Sequence, residues 1–144
     1  MNYHFRIHNE GDGWWGECLE LDGCKTQSGD GSREGLSVAM AEALDLYLDE
    51  PDHGEVFPLP DLRHKGKRQV VEVPVDPGIA LALRLRQMRR ELGISQQEAA
   101  KRAGMTNLYS WQRLEKGSTA NPSLRTLARL KGSFRDLKLE ELVP

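Results

Sequence analysis

The segment from Leu81 to Gly117 constrains the fold of this chain more than any other, because it specifies three short helices and the turns between them. Apolar residues recur first at spacings of four, three and four, which predicts one buried stripe on a helix that Gly93 ends. The stripe consists of Leu81, Leu85, Met88 and Leu92. Ser95 and Glu98 then form a Ser-x-x-Glu capping box, which predicts the start of a second helix.

A tight turn at Gly104 separates this second helix from a third. Glycine supplies the left-handed backbone conformation that such a turn needs, and the small residue Ala100 lets the two helices cross closely. We expect Thr106 to cap the third helix, with Trp111 and Leu114 facing inward. A fourth helix is predicted to open at Asn121-Pro122, to end at Gly132, and to bury three leucines. These are Leu124, Leu127 and Leu130.

The predicted third helix has one polar face of amide, hydroxyl and guanidinium groups. Such groups can read base edges in the major groove of DNA. Gln96, at the start of the second helix, can hold a phosphate together with the helix N-terminal amides. A helical bundle with a polar face and no nucleic-acid partner is the alternative. The predicted DNA-binding residues are Gln96, Thr106, Asn107, Tyr109, Ser110, Gln112 and Arg113.

In these residues the chain resembles the repressor-type helix-turn-helix family, the class of Cro and the phage repressors. The matching positions are Arg86, Arg89, Leu92-Gly93-Ile94-Ser95-Gln96, Ala100, Ala103-Gly104 and Leu114-Glu115-Lys116-Gly117. The resemblance implies that Gln96 holds a phosphate, that Asn107 and Arg113 face the groove, and that Glu115 pairs with Arg89.

The chain departs from that family pattern at two places. Position 99 is Ala where the family prefers Leu. The stretch from Gly104 to Glu115 is also one residue longer than usual, which leaves open which residues between Leu108 and Gln112 face the groove.

Charged residues divide unevenly along the chain, and the formal net charge of −2 hides the division. Residues 1–77 hold 7 Lys and Arg against 16 Asp and Glu, whereas residues 78–144 hold 13 against 6, so the two balances are −9 and +7. The basic part suits a polyanion and the acidic part can attract a basic protein, although chance and solubility can also produce such a division. We place a domain boundary at Asp76-Pro77-Gly78, between domains of residues 1–76 and 77–144.

The N-terminal part alternates apolar and polar residues as strands do. The order predicted is three strands, a helix from Ser32 to about Asp49, and a strand over Gln69 to Val75. Tyr3, Phe5 and Ile7 share one face of the first strand. The whole chain is therefore predicted to be α+β, with a β-β-β-α-β domain followed by an all-α helix-turn-helix domain.

This half is similar to the HicB family of bacterial antitoxins. The matching segments are Tyr3 to Ile7, Gly-Trp-Trp-Gly-Glu-Cys-Leu-Glu-Leu-Asp-Gly-Cys at 13–24, Thr26 to Asp30, Glu34 to Glu50 and Val70 to Val75. The family usually has proline before the Gly-Cys pair, where this chain has Asp22. The resemblance implies a partial ribonuclease-H-like fold without catalytic carboxylates, which binds and neutralises a HicA-type toxin, a small basic RNA-cleaving protein. It also implies autorepression through operator DNA, bound by a homodimer or higher homo-oligomer.

The predicted toxin contacts lie on and after the second strand, where aromatic anchors and acidic groups occur together. They are Trp14, Trp15, Glu17, Glu20 and Asp22. One of the two tryptophans is expected in the core. Candidate dimer contacts near the C-terminus, which can equally close the domain core, are Leu137, Leu139, Leu142 and Val143.

Nothing in the sequence assembles a catalytic or metal site. The carboxylates of the first half fall mostly in turns or on the open side of strands, and the four histidines are scattered. Cys18 and Cys24 are expected to be buried or half-buried reduced thiols. We therefore expect no enzyme, no cofactor and no metal. The chain has neither a membrane-spanning apolar run nor a signal pattern, so we also expect a cytoplasmic protein with no membrane partner.

Three functions compete on this evidence. The favoured one is an antitoxin that also represses its operon. The second is a stand-alone repressor whose N-terminal domain senses a small molecule, which requires an apolar pocket with convergent polar groups. The third is a nuclease with a DNA-targeting domain, which requires clustered carboxylates holding Mg²⁺.

Overall fold

Two compact units, residues 1–75 and residues 76–143, make up the computed structural model, which describes residues 1–49 and 57–143. The first unit has the predicted order of three strands, a helix and a strand. Its elements are β1 (Asn2–Glu10), β2 (Gly13–Cys18), β3 (Lys25–Gln27), α1 (Arg33–Asp49) and β4 (Val70–Pro74). A proline does not continue a helix, so the sequence also predicts that Pro51 ends α1, and this position lies outside the described residues.

The four strands form one antiparallel sheet in the order β3-β2-β1-β4. Tyr3 and Phe5 are buried on the face that α1 covers, as the alternation of apolar residues predicts. The helix approaches the sheet closely, since a Cβ added at Gly16 would lie 2.7 Å from Met40 Sδ. His4, on the opposite face of β1, is buried as well, which the alternation does not predict.

The helix α1 packs through a single row of large apolar side chains. Ser32 caps it, because the Gly35 N–H donates to Ser32 Oγ at 2.9 Å. Four buried residues repeat at intervals of four, and they are Leu36, Met40, Leu44 and Leu48. Ala43 and Tyr47, which the three- and four-residue spacing of apolar residues also places on this stripe, are half-buried. No helix among the described residues is both long and apolar enough to cross a membrane.

The second unit consists of four α-helices and short 3-10 turns. The helices are α2 (Pro77–Glu91), α3 (Gln96–Arg102), α4 (Leu108–Leu114) and α5 (Leu124–Ser133). Asp76 caps α2, and Ser95 caps α3 by accepting from the Glu98 N–H at 3.1 Å, where the capping box predicted a helix start. Gly93 and Gly104 have φ of 65° and 68°, the left-handed conformation predicted at Gly104.

The start of α4 differs from the prediction by one residue. Asn107, rather than Thr106, is the cap, because its Oδ1 accepts from the Ser110 N–H at 2.8 Å. Asn and Thr are both good caps, so the residue type alone does not choose between neighbouring positions. The predicted cap at Thr106 is therefore wrong.

Three predictions about buried leucines are also wrong, since Leu127 on α5 is only half-buried. Leu92 is 53% exposed, because α2 ends at Glu91 and the chain turns away at Gly93. Leu124 is 84% exposed, because α5 is capped by Ser123 instead of opening at Asn121-Pro122. The helix also continues past Gly132 to Ser133.

The core of the second unit forms around Trp111. This side chain is fully buried, and its ring lies 5.6 Å from that of Phe134. Leu137 and Leu142 are buried too, so both of these candidate dimer contacts serve the core of their own unit. Val143 is 62% exposed and stays available to a partner.

Candidate nucleic-acid interface

A single buried carboxylate, that of Glu115, ties α2, α3 and α4 together. Arg89 donates from Nε to Glu115 Oε1 at 2.5 Å and from Nη2 to Oε2 at 3.2 Å. Trp111 Nε1 donates to Oε1 at 2.6 Å, and Gln96 Nε2 donates to Oε2 at 2.7 Å. The backbone oxygen of Glu115 accepts from Arg86 Nη1 at 2.6 Å. The pairing of Glu115 with Arg89, implied by the family resemblance, is present.

This network also fixes the side chain of Gln96 at the start of α3. Its amide nitrogen is held by Glu115, and its amide oxygen accepts from Gln112 Nε2 at 3.3 Å. A buried carboxylate that accepts several hydrogen bonds holds its donors in place more firmly than exposed pairs do. Gln96 therefore has a set orientation within the domain. That it holds a DNA phosphate stays a prediction.

The exposed side of α4 carries three of the predicted DNA-binding residues. Tyr109 is 64% exposed, and Gln112 and Arg113 are exposed beside it. Arg113 Nη1 donates to Tyr109 Oη at 3.3 Å, and its guanidinium carbon lies 5.7 Å from the centre of the tyrosine ring. The tyrosine ring thus holds Arg113 against the surface of α4. Arg113 and Gln112 carry groups that can hydrogen-bond to base edges.

Two further predicted DNA-binding residues, Asn107 and Ser110, form the cap at the beginning of α4. Asn107 Oδ1 accepts from both the backbone N–H and the hydroxyl of Ser110, at 2.8 and 3.0 Å. Thr106 is exposed in the turn just before this cap. The contact between Gln112 and Gln96 joins the predicted residues of α3 and α4, and cap formation already engages Asn107 and Ser110.

A shallow groove of about 460 Å³ continues this surface from α4 to the beginning of α5. Arg113 and Ser110 line it on one side, and Thr126 and Arg129 line it on the other. Hydroxyl and guanidinium groups are among the donors that proteins use on DNA phosphates. Thr126 and Arg129 were not among the predicted DNA-binding residues, because the sequence pattern of the fourth helix pointed only to its buried leucines.

The predicted toxin contacts on β2 are divided between two faces of the sheet. Trp14 lies half-buried on the face that α1 covers, with the Arg33 guanidinium 6.0 Å from its ring centre. Trp15 lies on the opposite face, stacked on His8 with the ring centres 4.0 Å apart. Glu17 shares that face and lies 3.2 Å from His8 Nε2. Neither tryptophan is fully buried, so the expected core tryptophan is absent.

Glu20, another predicted contact, is a buried structural residue. Its side chain is 3% exposed and accepts from the backbone N–H groups of His4 and Asp61, both at 3.1 Å. His4 Nδ1 lies 2.6 Å from Oε1, and Cys18 Sγ lies 3.5 Å from Oε2. Glu20 thus joins β1 to the segment before β4. Asp22, the fifth predicted contact, lies exposed in the turn that follows.

The two thiols lie opposite each other beyond the β2–β3 ladder. Cys18 and Cys24 are both free and buried, as expected, and the Cys18 N–H donates to the Cys24 carbonyl at 2.8 Å. A hydrogen bond between the side chains lowers the pKa of Cys24 and raises that of Cys18, and burial raises the Cys18 pKa further. Throughout residues 1–49 and 57–143, no three His, Cys, Asp or Glu side chains group as metal ligands would.

Comparison with known proteins agrees with the geometry of the second unit. Residues 80–130 match the family model described as a helix-turn-helix domain, which spans α2 to most of α5. Comparison of the chain with curated protein sequences gave no significant match. The C-terminal unit therefore contains a helix-turn-helix domain, which suggests a DNA-binding regulator.

Proposed function

We propose that the protein is an antitoxin of a type II toxin–antitoxin pair. Its C-terminal unit binds operator DNA and represses its own operon, and its N-terminal unit neutralises a HicA-type toxin, a small basic protein that cleaves mRNA. The observation that carries the proposal is the joining of a helix-turn-helix domain to an acidic α/β unit in one chain. The protein acts by binding, without a catalytic site, metal or cofactor of its own.

The DNA-binding half of the proposal is supported by the exposed face of α4 and by charge. Arg113 and Gln112 can meet base edges, while Arg129 and Thr126 in the adjoining groove suit phosphates. The balance of +7 over residues 78–144 favours association with a polyanion. One helix-turn-helix makes few contacts, so a homodimer that reaches two half-sites about one DNA turn apart supplies the specificity.

The toxin-binding half is supported by the charge of the first unit and by its resemblance to HicB. A balance of −9 over residues 1–77 attracts a basic RNA-binding protein at long range and makes association salt-sensitive. Inhibition then requires only that the antitoxin cover the toxin's active site and RNA-binding surface. Covering the toxin requires no catalytic residue in the antitoxin. Glu20, an acidic residue of this unit, accordingly accepts structural hydrogen bonds.

Growth rescue tests the proposal in cells. The proposal predicts a short neighbouring gene for a basic protein, and this gene is expressed from an inducible promoter, alone and together with the 144-residue chain. We expect induction alone to arrest growth and co-expression to restore it. Restored growth with the Arg113→Ala variant shows that neutralisation does not need DNA binding. Growth arrest that the wild-type chain does not relieve contradicts the toxin-binding half and favours a stand-alone repressor.

A further inference from the structure

We propose that the toxin-binding surface of the first unit is the outer side of α1 together with the adjoining edge of β3. It takes a basic protein segment in which cationic side chains alternate with apolar ones. The inference rests on the proposed function and assigns the surface which that function needs. This surface differs from the residues of β2 that the sequence pattern favours.

The first observation is a row of alternating acidic and apolar side chains on α1. Glu34, Val38, Glu42 and Leu46 follow one another at intervals of four residues, and all four are exposed. Val38 is 59% exposed and Leu46 is 71% exposed, although α1 buries its other large aliphatic residues. Each step of four residues rises about 6 Å along a helix, so the row extends for about 18 Å.

The second observation is the groove beside this row. It has a volume of about 570 Å³ and lies between α1 and the end of the sheet, with Val38, Glu42 and Leu46 on one wall and Thr26 and Gln27 on the other. Among the described residues β3 pairs only with β2, so its outer edge is open to another strand or an extended segment.

The third observation is the charge around the groove. Asp30 lies in its lining, and hydrogen bonds from the hydroxyl and N–H of Ser32 and from the Ser28 hydroxyl lower the pKa of its carboxyl to about 2. The arginine at the start of α1, Arg33, donates to Ser37 Oγ at 2.7 Å and lies over Trp14. The row itself contains no basic residue. Such a surface steers a cationic partner and repels an anionic one.

Together these features select a partner of defined chemistry. Two exposed aliphatic side chains provide anchors that lose their contact with water on binding, and the two carboxylates that alternate with them along the helix pair with lysine or arginine. By contrast, Trp15 and Glu17 on the open face of the sheet are already engaged with His8. A basic toxin presenting alternate cationic and apolar residues therefore fits α1 and the β3 edge better than it fits the face of β2.

The test uses the full-length chain and the purified basic product of the neighbouring gene. The double variant Val38→Lys, Leu46→Lys removes both apolar anchors and adds two positive charges that repel a basic partner. Lysine forms helices well, so the fold should be retained, which circular dichroism checks. The matched control is Leu62→Lys with Leu124→Lys, two equally drastic changes at positions 75% and 84% exposed. We expect the dissociation constant, measured by biolayer interferometry, to rise at least about 100-fold for the first variant and less than about threefold for the control.

A second variant removes charge without changing shape. Glu34→Gln with Glu42→Gln should slow association about tenfold at low salt, and this difference should disappear at high salt. Wild-type binding together with unchanged binding of both α1 variants would overturn the inference and leave the proposed function standing. Failure of the wild-type chain itself to bind would overturn both.

Discussion

Arg89 and Glu115 lie 26 positions apart, and two hydrogen bonds of 2.5 and 3.2 Å join the guanidinium of one to the carboxylate of the other. The pair connects the end of α2 with the residue that follows α4. Since Glu115 also accepts from Trp111 in the core and from Gln96 at the start of α3, one carboxylate links the packing of the domain to the placement of a predicted DNA-binding residue. We therefore expect the stability of the domain and its DNA binding to depend on the same residue.

Glu115→Ala should destabilise the second unit strongly. The substitution leaves the buried ends of Arg89, Trp111 and Gln96 without their acceptor, and breaking a buried pair in this way costs roughly 3–5 kcal/mol. Urea unfolding followed by tryptophan fluorescence measures the loss. The control is Glu98→Ala, whose exposed pair with Arg102 is 3.4 Å long and should contribute less than about 1 kcal/mol. Equal losses for the two variants would contradict the central role of Glu115.

Arg113→Ala should weaken DNA binding and leave the fold intact. The side chain is exposed on α4, and loss of a base contact costs about 1–3 kcal/mol. Fluorescence anisotropy with a labelled fragment of the operon's own promoter gives the affinity and the sequence preference. Arg135→Ala, an exposed arginine outside α4 and its groove, serves as the control. An affinity and preference equal to those of the wild type would reject a base-reading role for Arg113.

Asn107→Ala should cost about 1 kcal/mol of stability, because its side chain caps α4. Thr106→Ala, one position earlier, should change the free energy of unfolding by less than about 0.5 kcal/mol. Thermal unfolding of the two variants compares neighbouring positions of similar chemistry. The opposite ranking would restore Thr106 as the cap and shift the start of α4.

The two cysteines should react with alkylating reagents in a fixed order. The lowered pKa of Cys24 increases its thiolate fraction at neutral pH, whereas the raised pKa of Cys18 keeps that thiol protonated. Mass spectrometry after limited treatment with iodoacetamide should find Cys24 modified first, slowly because both thiols are buried. Cys18→Ser replaces the hydrogen-bonding thiol and tests whether that contact sets the order. Faster modification of Cys18 in the wild type would contradict this order and show that Cys18, rather than Cys24, has the lowered pKa.

The helix boundaries of the second unit could be predicted from sequence, because the residues that set them act locally. Gly93 and Gly104 end their helices by adopting a left-handed backbone conformation, and Ser95 caps α3 by accepting from the N–H of Glu98, three residues later. The exposure of Leu124 could not be predicted, because Pro122 and Ser123 both suit a helix start and the structure begins α5 only at Leu124, after its cap Ser123.

In the first unit, the burial of a residue near a strand could not be predicted where it depends on residues distant in sequence. The burial of Glu20 depends on donors from His4 and Asp61, which are distant in sequence. The division of Trp14 and Trp15 between two faces, however, follows from the alternation of any strand. The grouping of both as one contact set therefore conflicted with the strand pattern itself. The four-residue spacing of the acidic and apolar row on α1 can be seen in the sequence. Only the packing of the helix on the sheet shows that this row is exposed.

RNA cleavage by the basic product of the neighbouring gene, followed while the full-length chain is added, tests directly whether the protein is an antitoxin. We predict that cleavage falls to background at about equimolar chain, and that Arg113→Ala inhibits as well as the wild type does. Undiminished cleavage in the presence of excess folded, DNA-binding chain would contradict the antitoxin function.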